Sequence, residues 1–223
     1  MGRAIARRLR DAGYAVRALV HADADVDVAE VARGDLGDRS ALAAAAAGVE
    51  VAVHCAAVVG DDWIECRRTN DEGTRALVDT LVESGCRRLV HVSTISVYDD
   101  TAADAFDEAS AIWTEPRDPY GFTKAEAERI VSAAVARGLP SVILRPGVVL
   151  SMDRRSRWGP LALERARAAA ASILPFPEIP HVHAESLAEA AILALEASVA
   201  RSLAYNVLDG VGDGAEYLQA VYG

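Results

Sequence analysis

The sequence has no run of about 18 apolar residues free of charge, the length a membrane-spanning helix needs, and its Arg-rich, amphipathic first dozen residues lack the apolar centre of a signal peptide. It also lacks positive charge in balance. Lys and Arg total 23 against 33 Asp and Glu, for a net charge of -10 and a pI near 5.0, which argues against nucleic acid or an anionic membrane surface as a partner. Cysteine is scarce: Cys55, Cys66 and Cys86 are odd in number and form no C-x-x-C pair, so they read as free thiols in a reducing, cytoplasmic compartment. Cys55 falls within an apolar stretch and reads as packing, not as a nucleophile. His181 and His183 lack the third ligand that a metal site requires, so no metal is expected. The sequence shows no internal repeat, and the Ala-rich tract at 42–47 is a helix former.

What is present suits one soluble domain with a substantial core: 223 residues, 52% of them hydrophobic, with acidic residues scattered over a solvated surface. Ile5 and Leu9, four apart among Arg3, Arg7, Arg8 and Arg10, predict an amphipathic helix over 2–12, stopped by Gly13. Strands are predicted at 15–20, 28–32, 50–54, 89–92 and 141–144. Helices are predicted from Asp38 to Gly48, from a cap at Thr69 or Asn70 to about Glu83, over 120–137, and from Leu161 to about Ser172. Alternation of this kind implies an α/β fold, a doubly wound parallel sheet with helices on both faces.

Tyr120-Gly-Phe-Thr-Lys124 places a phenol and an ammonium one helical turn apart on a shared face. A positive charge beside the phenol would pull its pKa below the usual value of roughly 10 and make a general acid/base. Upstream, Leu89-Val90-His91-Val92-Ser93-Thr94 reads as a buried strand running into a polar loop, which offers the Thr94 hydroxyl to a substrate oxygen.

The order of apolar strand, Ser93-Thr94, Tyr98, a polar loop with Trp113 and Pro116, Asp118-Pro119-Tyr120, Lys124 and Leu144-Arg145-Pro146-Gly147 resembles the short-chain dehydrogenase/reductase superfamily, in its extended, NAD(P)-dependent epimerase/dehydratase branch. The resemblance implies catalysis by Thr94, Tyr120 and Lys124. Tyr120 would move the hydroxyl proton, Lys124 would hold the phenolate and the nicotinamide ribose, and Thr94 would bond the reacting oxygen, with Tyr98 a weaker alternative acid. It also implies roles for Gly34-Asp35-Leu36, similar to the family's G-D-L at the adenine, and for Ala56 and Ala57 in an H-x-A-A segment beside the ribose. Pro146 and Val148 would lie in the run beside the nicotinamide. Asp35 taken alone is equally a turn cap, Asn70 in N-x-x-G-T reads as structural, and Arg145 is equally a strand-end salt-bridge residue.

Met1-Gly2-Arg3-Ala4-Ile5 resembles the tail of the family's Gly-rich T-G-x-x-G-F-I-G-x-x-I motif, with Gly2 as its last glycine. On that alignment the first strand and two glycines are missing, about ten residues whose backbone N–H groups would hold the pyrophosphate. That strand is central in the usual order, so its loss should expose the backbones of both neighbours. Either a shortened start or a natural loss explains the gap, and both predict weak NAD(P) binding. At the end of the strand predicted at 15–20, the counterpart of the family's second strand, His21 stands where NADP-leaning members carry Arg, with Asp23 and Asp25 near, so the preference leans to NADP.

The organisation expected is a Rossmann-like core over 1–150 and a small substrate-binding region over 151–223. That region holds Arg154, Arg155 and Arg157 as a solvated loop or an anion grip, Trp158, Pro175-Phe176-Pro177 and His183 as a packed imidazole with one satisfied nitrogen. The function implied is NAD(P)-dependent oxidoreduction, epimerisation or dehydration at a hydroxyl or carbonyl of a small molecule, a sugar derivative or secondary metabolite. The alternative is a cofactor-independent cyclase or isomerase, or a non-catalytic binding protein, on the same scaffold. A homodimer through the helices holding Tyr120 and Glu83 is implied by the resemblance alone.

Overall fold

The computed structural model describes residues 1–21, 26–99, 101, 105–151, 178–197 and 203–213. The expectations for Asp23, Asp25, Arg154, Arg155, Arg157, Trp158, the helix at 161–172 and Pro175-Phe176-Pro177 lie outside the described residues.

Helix α1, Gly2–Asp11, buries Ile5 and Leu9 and turns its arginines outward, and Gly13 at φ +90° completes the turn into β1, Arg17–Val20. β2, Glu30–Arg33, pairs with β1 in parallel. The Asp38 carboxylate accepts from the Ser40 and Ala41 N–H groups and starts α2, Arg39–Ala46, which leads to β3, Val51–His54. The next helix begins earlier than its predicted cap at Thr69 or Asn70. Asp62 is the cap, accepting from Ile64 and Glu65, and the helical path runs through α3, Trp63–Cys66, a π-helical turn, Arg67–Glu72, and α4, Gly73–Glu83. Asn70 is therefore mid-helix. Its side chain accepts from Val58 N–H and donates to the Val58 carbonyl and Thr123, pinning the chain after β3 to the helices.

β4, Arg88–Val92, is followed by a 3-10 turn, Ile95–Val97, then α5, Pro119–Ala136, β5, Ser141–Pro146, and β6, Val148–Leu150. β7, Glu178–His183, α6, Ala184–Glu196, β8, Leu203–Val207, and β9, Gly210–Asp213, complete the described chain. β3, β4, β5 and β8 form one all-parallel sheet in that order, while β6, β7 and β9 form a smaller sheet whose β7–β9 pair is antiparallel.

The two-residue period of the strands divides the core. On one face, Val90, Val92, Val142 and Leu144 pack against Ile5 and Leu9 of α1 and Leu187, Ala191 and Leu195 of α6. On the other, Leu89 and Ile143 meet Val78 and Leu81 of α4 and Ile130, Val131 and Ala134 of α5. His54 and His91 are register partners on this second face.

Among the described residues, β1 bonds only β2, and β3 bonds only β4. A cavity of about 1250 Å³ lies between them, lined by Val16, Ala18 and Val20 on one side and Val51 and Val53 on the other, with Ile5 of α1 alongside. The central place in the sheet is a slot, and the strand order β2-β1-slot-β3-β4-β5-β8 is that of a doubly wound sheet with one interior strand missing.

Candidate active site

The start of α5 is built to press on the loop after β4. Asp118 accepts from Gly121 N–H, Pro119 takes the first helical turn where no donor is needed, and a Cβ at Gly121 would sit 2.4 Å from the Ser96 carbonyl, so only glycine allows this approach. The contact brings Tyr120 against Thr94. Thr94 is extended, accepts from Ser96 N–H at 3.2 Å, and its hydroxyl hydrogen-bonds the Tyr120 phenol.

The expected lowering of the phenol's pKa does not occur. Burial pushes Tyr120 up to about 12, outweighing the opposing Thr94 bond. The reason is where the ammonium goes: Lys124 Nζ donates to the Val92 carbonyl at 2.9 Å and lies 3.2 Å from His91 Nε2. Lys124 is 1% exposed, and burial brings its pKa down to about 8, against the opposing pull of Glu128 and Cys55. In this state Tyr120 is a protonated donor and the titrating group near neutrality is the lysine.

Lys124 is also the only lysine of the chain; the other 22 basic residues are arginine. Guanidinium stays charged at any working pH, whereas an ammonium can be brought near neutrality by burial, as Lys124 is.

Arg145 takes the salt-bridge role. It makes a buried pair with Glu128 through Nε at 3.0 Å and Nη2 at 2.7 Å, and its Nη1 donates to the Tyr98 phenol. The Tyr98 hydroxyl in turn donates to Asn206 Oδ1, and its ring stacks on Phe106. Tied at both ends and 4% exposed, Tyr98 is held in a buried polar network with Arg145 and Asn206.

A second cavity, about 360 Å³, opens at the carboxyl ends of β1, β2 and β3, where ligands sit in open α/β sheets. It brings together His21, Asp35, Leu36, Ala56 and Ala57, and adds Arg68 and Thr69 of the π turn, which motif reading missed because that turn was not foreseen. Asp35 takes the turn-cap role, its Oδ1 accepting from Gly37 N–H, while Oδ2 lies 3.4 Å from His21 Nε2. A Cβ at Gly73 would lie 2.9 Å from the Leu36 Cβ, so this glycine lets α4 press Leu36 into the pocket wall. Gly2 lines the larger slot instead, and Cys55 borders both cavities. Pro146, at the end of β5, and Val148, in β6, line neither cavity, nor do Thr94, Tyr120 and Lys124. His183 is not packed as expected: its side chain is 61% exposed, and its N–H and Nδ1 both meet Asp209 Oδ2 at 2.7 Å, a brace for the start of α6.

His54 and His91 are the residues that sequence reading passed over. Both are fully buried, with rings 5.1 Å apart, and burial holds both neutral, His54 down at about 3. Alternation in Leu89-Val90-His91-Val92 was a sufficient signal, since it puts His91 on the face that α5 covers.

Among the described residues, no helix is long and apolar enough to cross a membrane. Residues 1–207 match the family described as NAD dependent epimerase/dehydratase. Sterol demethylase protein B of Methylococcus capsulatus is 33% identical over 162 residues, 67% of this chain and 48% of that protein. A 4-hydroxy-2-methyl-3-oxo-4-farnesyl-3,4-dihydroquinoline-1-oxide ketoreductase of Stigmatella aurantiaca is 30% identical over 161 residues, 69% of this chain and 48% of its own. The chain thus spans about half the length of these curated relatives. Among solved structures, a short-chain dehydrogenase/reductase superfamily protein from Agrobacterium tumefaciens with bound NAD superposes with a TM-score of 0.82 at 24% identity, covering 98% of this chain and 78% of that one. UDP-glucose 4-epimerase from Brucella ovis, in complex with NAD, gives 0.79 at 24% identity, with the same two coverages of 98% and 78%. Strand order, a pocket at the strand ends and the sequence match over 1–207 converge, and the chain belongs to the NAD dependent epimerase/dehydratase family.

Proposed function

We propose that the protein is an NAD(P)-dependent enzyme that interconverts a hydroxyl and a carbonyl, or epimerises or dehydrates through that change, on a small molecule. The observation that carries this reading is the single lysine, buried one turn beyond a tyrosine whose phenol meets the Thr94 hydroxyl at the carboxyl ends of a parallel sheet. Similarity to a sterol demethylase protein and a ketoreductase supports an apolar or ketone-bearing secondary metabolite; the UDP-glucose 4-epimerases among the relatives support a sugar derivative.

The residues fit the cofactor at its adenosine end. The 360 Å³ pocket is of ligand size, its floor is the small Ala56 and Ala57, and the Asp35 carboxylate can accept from an adenine amino group. Gly2, at the positive N-terminal end of α1, is the described backbone available to a pyrophosphate. His21 in the pocket can donate to a 2'-phosphate, which leans to NADP, and Arg68 adds a cation there. Pro146 and Val148 would meet the nicotinamide end. When bound, the nicotinamide supplies or accepts the hydride.

The chain's own residues handle the proton. Tyr120 Oη donates to the carbonyl oxygen in reduction and withdraws the proton in oxidation, Thr94 Oγ1 orients the same oxygen, and Lys124, moving its free donor to the phenolate, stabilises the charge left on Tyr120. Tyr120→Phe should abolish turnover of a hydroxyl or ketone substrate while circular dichroism and the unfolding midpoint stay unchanged; full activity would remove the role. NAD(P) binding should be carried by the adenosine half. Calorimetry should find 2'-phospho-ADP-ribose binding nearly as well as NADP, and Asp35→Ala weakening both. A homodimer through α4 and α5 and a cytoplasmic location belong to the same proposal.

A further inference from the structure

His91 is a costly residue at its position. Its neighbours on the same sheet face, Leu89 and Ile143, are aliphatic, and leucine would fill the space without a polar atom. Histidine instead leaves Nδ1 buried with no hydrogen-bond partner, a loss on the order of 1–3 kcal/mol. Its other nitrogen faces Lys124.

The ammonium has few alternatives. Glu128, the carboxylate one turn along α5, is engaged by Arg145 through both oxygens. Around Lys124 stand His54 and Cys55 from the end of β3, His91 and the Val92 carbonyl from β4, and Tyr120 and Glu128 from α5, with the amino group of Met1 acting on Cys55. His54 is locked with its proton on Nε2: it donates to Thr74 Oγ1 at 2.9 Å, because the Thr74 hydroxyl already donates to the Asn70 carbonyl. His54 thus walls off the far side of His91 without competing for the lysine.

We propose that His91 is a positioning residue for Lys124: its Nε2 accepts from Nζ, and with the Val92 carbonyl it fixes two of the ammonium's three donors, so that the third is left free for the Tyr120 phenolate. This rests on the reading of Lys124 as a catalytic residue, but its geometry is testable without turnover. Since an ammonium has no acceptor, the pairing requires His91 to carry its proton on the orphaned Nδ1, and that tautomer is the signature of the arrangement.

Because the chain has one lysine, protein labelled with ¹³C at lysine Cε gives a single side-chain signal that needs no assignment. His91→Leu, which removes the acceptor, should lower the midpoint of that signal's titration by about one pH unit, and His91→Gln, which keeps an acceptor, should return most of the shift. An unchanged midpoint in His91→Leu overturns the proposal. Should that variant not fold, ¹⁵N-histidine spectra of the wild type and Lys124→Met decide: the proposal requires one buried histidine protonated at Nδ1 whose Nε2 signal moves when Lys124 is replaced, and no moving signal overturns it. Turnover surviving in Lys124→Met, with the histidine shift present, would sink the catalytic reading and leave the positioning intact.

Discussion

The two faces of one sheet differ sharply. The face under α1 and α6 is a continuous hydrocarbon layer of Val90, Val92, Val142, Leu144 and Leu187. The face under α4 and α5 begins the same way at the amino ends of the strands, with Leu89 and Ile143, and then turns polar: His54, His91, Lys124, and the Arg145–Glu128 pair lie buried at the carboxyl ends. Buried ionisable groups stabilise a fold poorly compared with hydrocarbon, so their confinement to one face and one end marks where function overrides stability.

Substitutions on the polar face should test this contrast in both directions. The largest effect is expected from Arg145→Met, which leaves Glu128 buried and unpaired; it should destabilise by about 3–5 kcal/mol in urea unfolding. Lys124→Met should do the opposite. The folded-state pKa of about 8 lies below the usual 10.5, so at any pH under 8 the buried ammonium opposes folding, by about 3 kcal/mol at most, and the penalty fades between pH 8 and 10.5. The variant should therefore be more stable than the wild type at pH 7 and lose that advantage above pH 10.5. A destabilised Lys124→Met at pH 7 would show that the lysine's hydrogen bonds outweigh its burial.

The smallest effect, per pH unit, belongs to the histidines. His54 and His91 are held neutral in the fold, whereas the unfolded chain protonates them below the usual 6.5, so stability should fall on acidification from that value by about 1.4 kcal/mol per pH unit for each. His54→Gln should remove one share of that slope. Leu187→Ala, on the hydrocarbon face, should lower stability by about 2–5 kcal/mol at every pH and leave the slope alone.

Much of this was legible in the sequence because it follows from period and punctuation. Ile5 and Leu9 gave α1, Asp38 and Gly48 bounded α2, and the apolar runs gave β3, β4 and β5. The pocket residues His21, Asp35, Leu36, Ala56 and Ala57 were legible as motifs, since each sits just past a strand. Two things were not. The π turn at Arg67–Glu72 hid the true start of the helix at Asp62, because an inserted residue breaks the 3.6 period that sequence reading relies on. The charge state of Tyr120 was misjudged because helical spacing fixes the shared face of Tyr120 and Lys124 but not the direction of a four-carbon side chain, and buried acceptors on β4 drew Nζ away from the phenol. That choice depends on residues 32 and 33 positions upstream, which no local pattern reports.

The proposed function stands on Lys124 being a buried cation poised near neutral pH and on its sensing a nucleotide bound at the strand ends. The most direct measurement is the ¹³C titration of its single lysine signal in the wild-type chain, with and without NADP. The account predicts a midpoint near 8 and a displaced signal when nucleotide is present. A midpoint at the ordinary 10.5, indifferent to nucleotide, would contradict it.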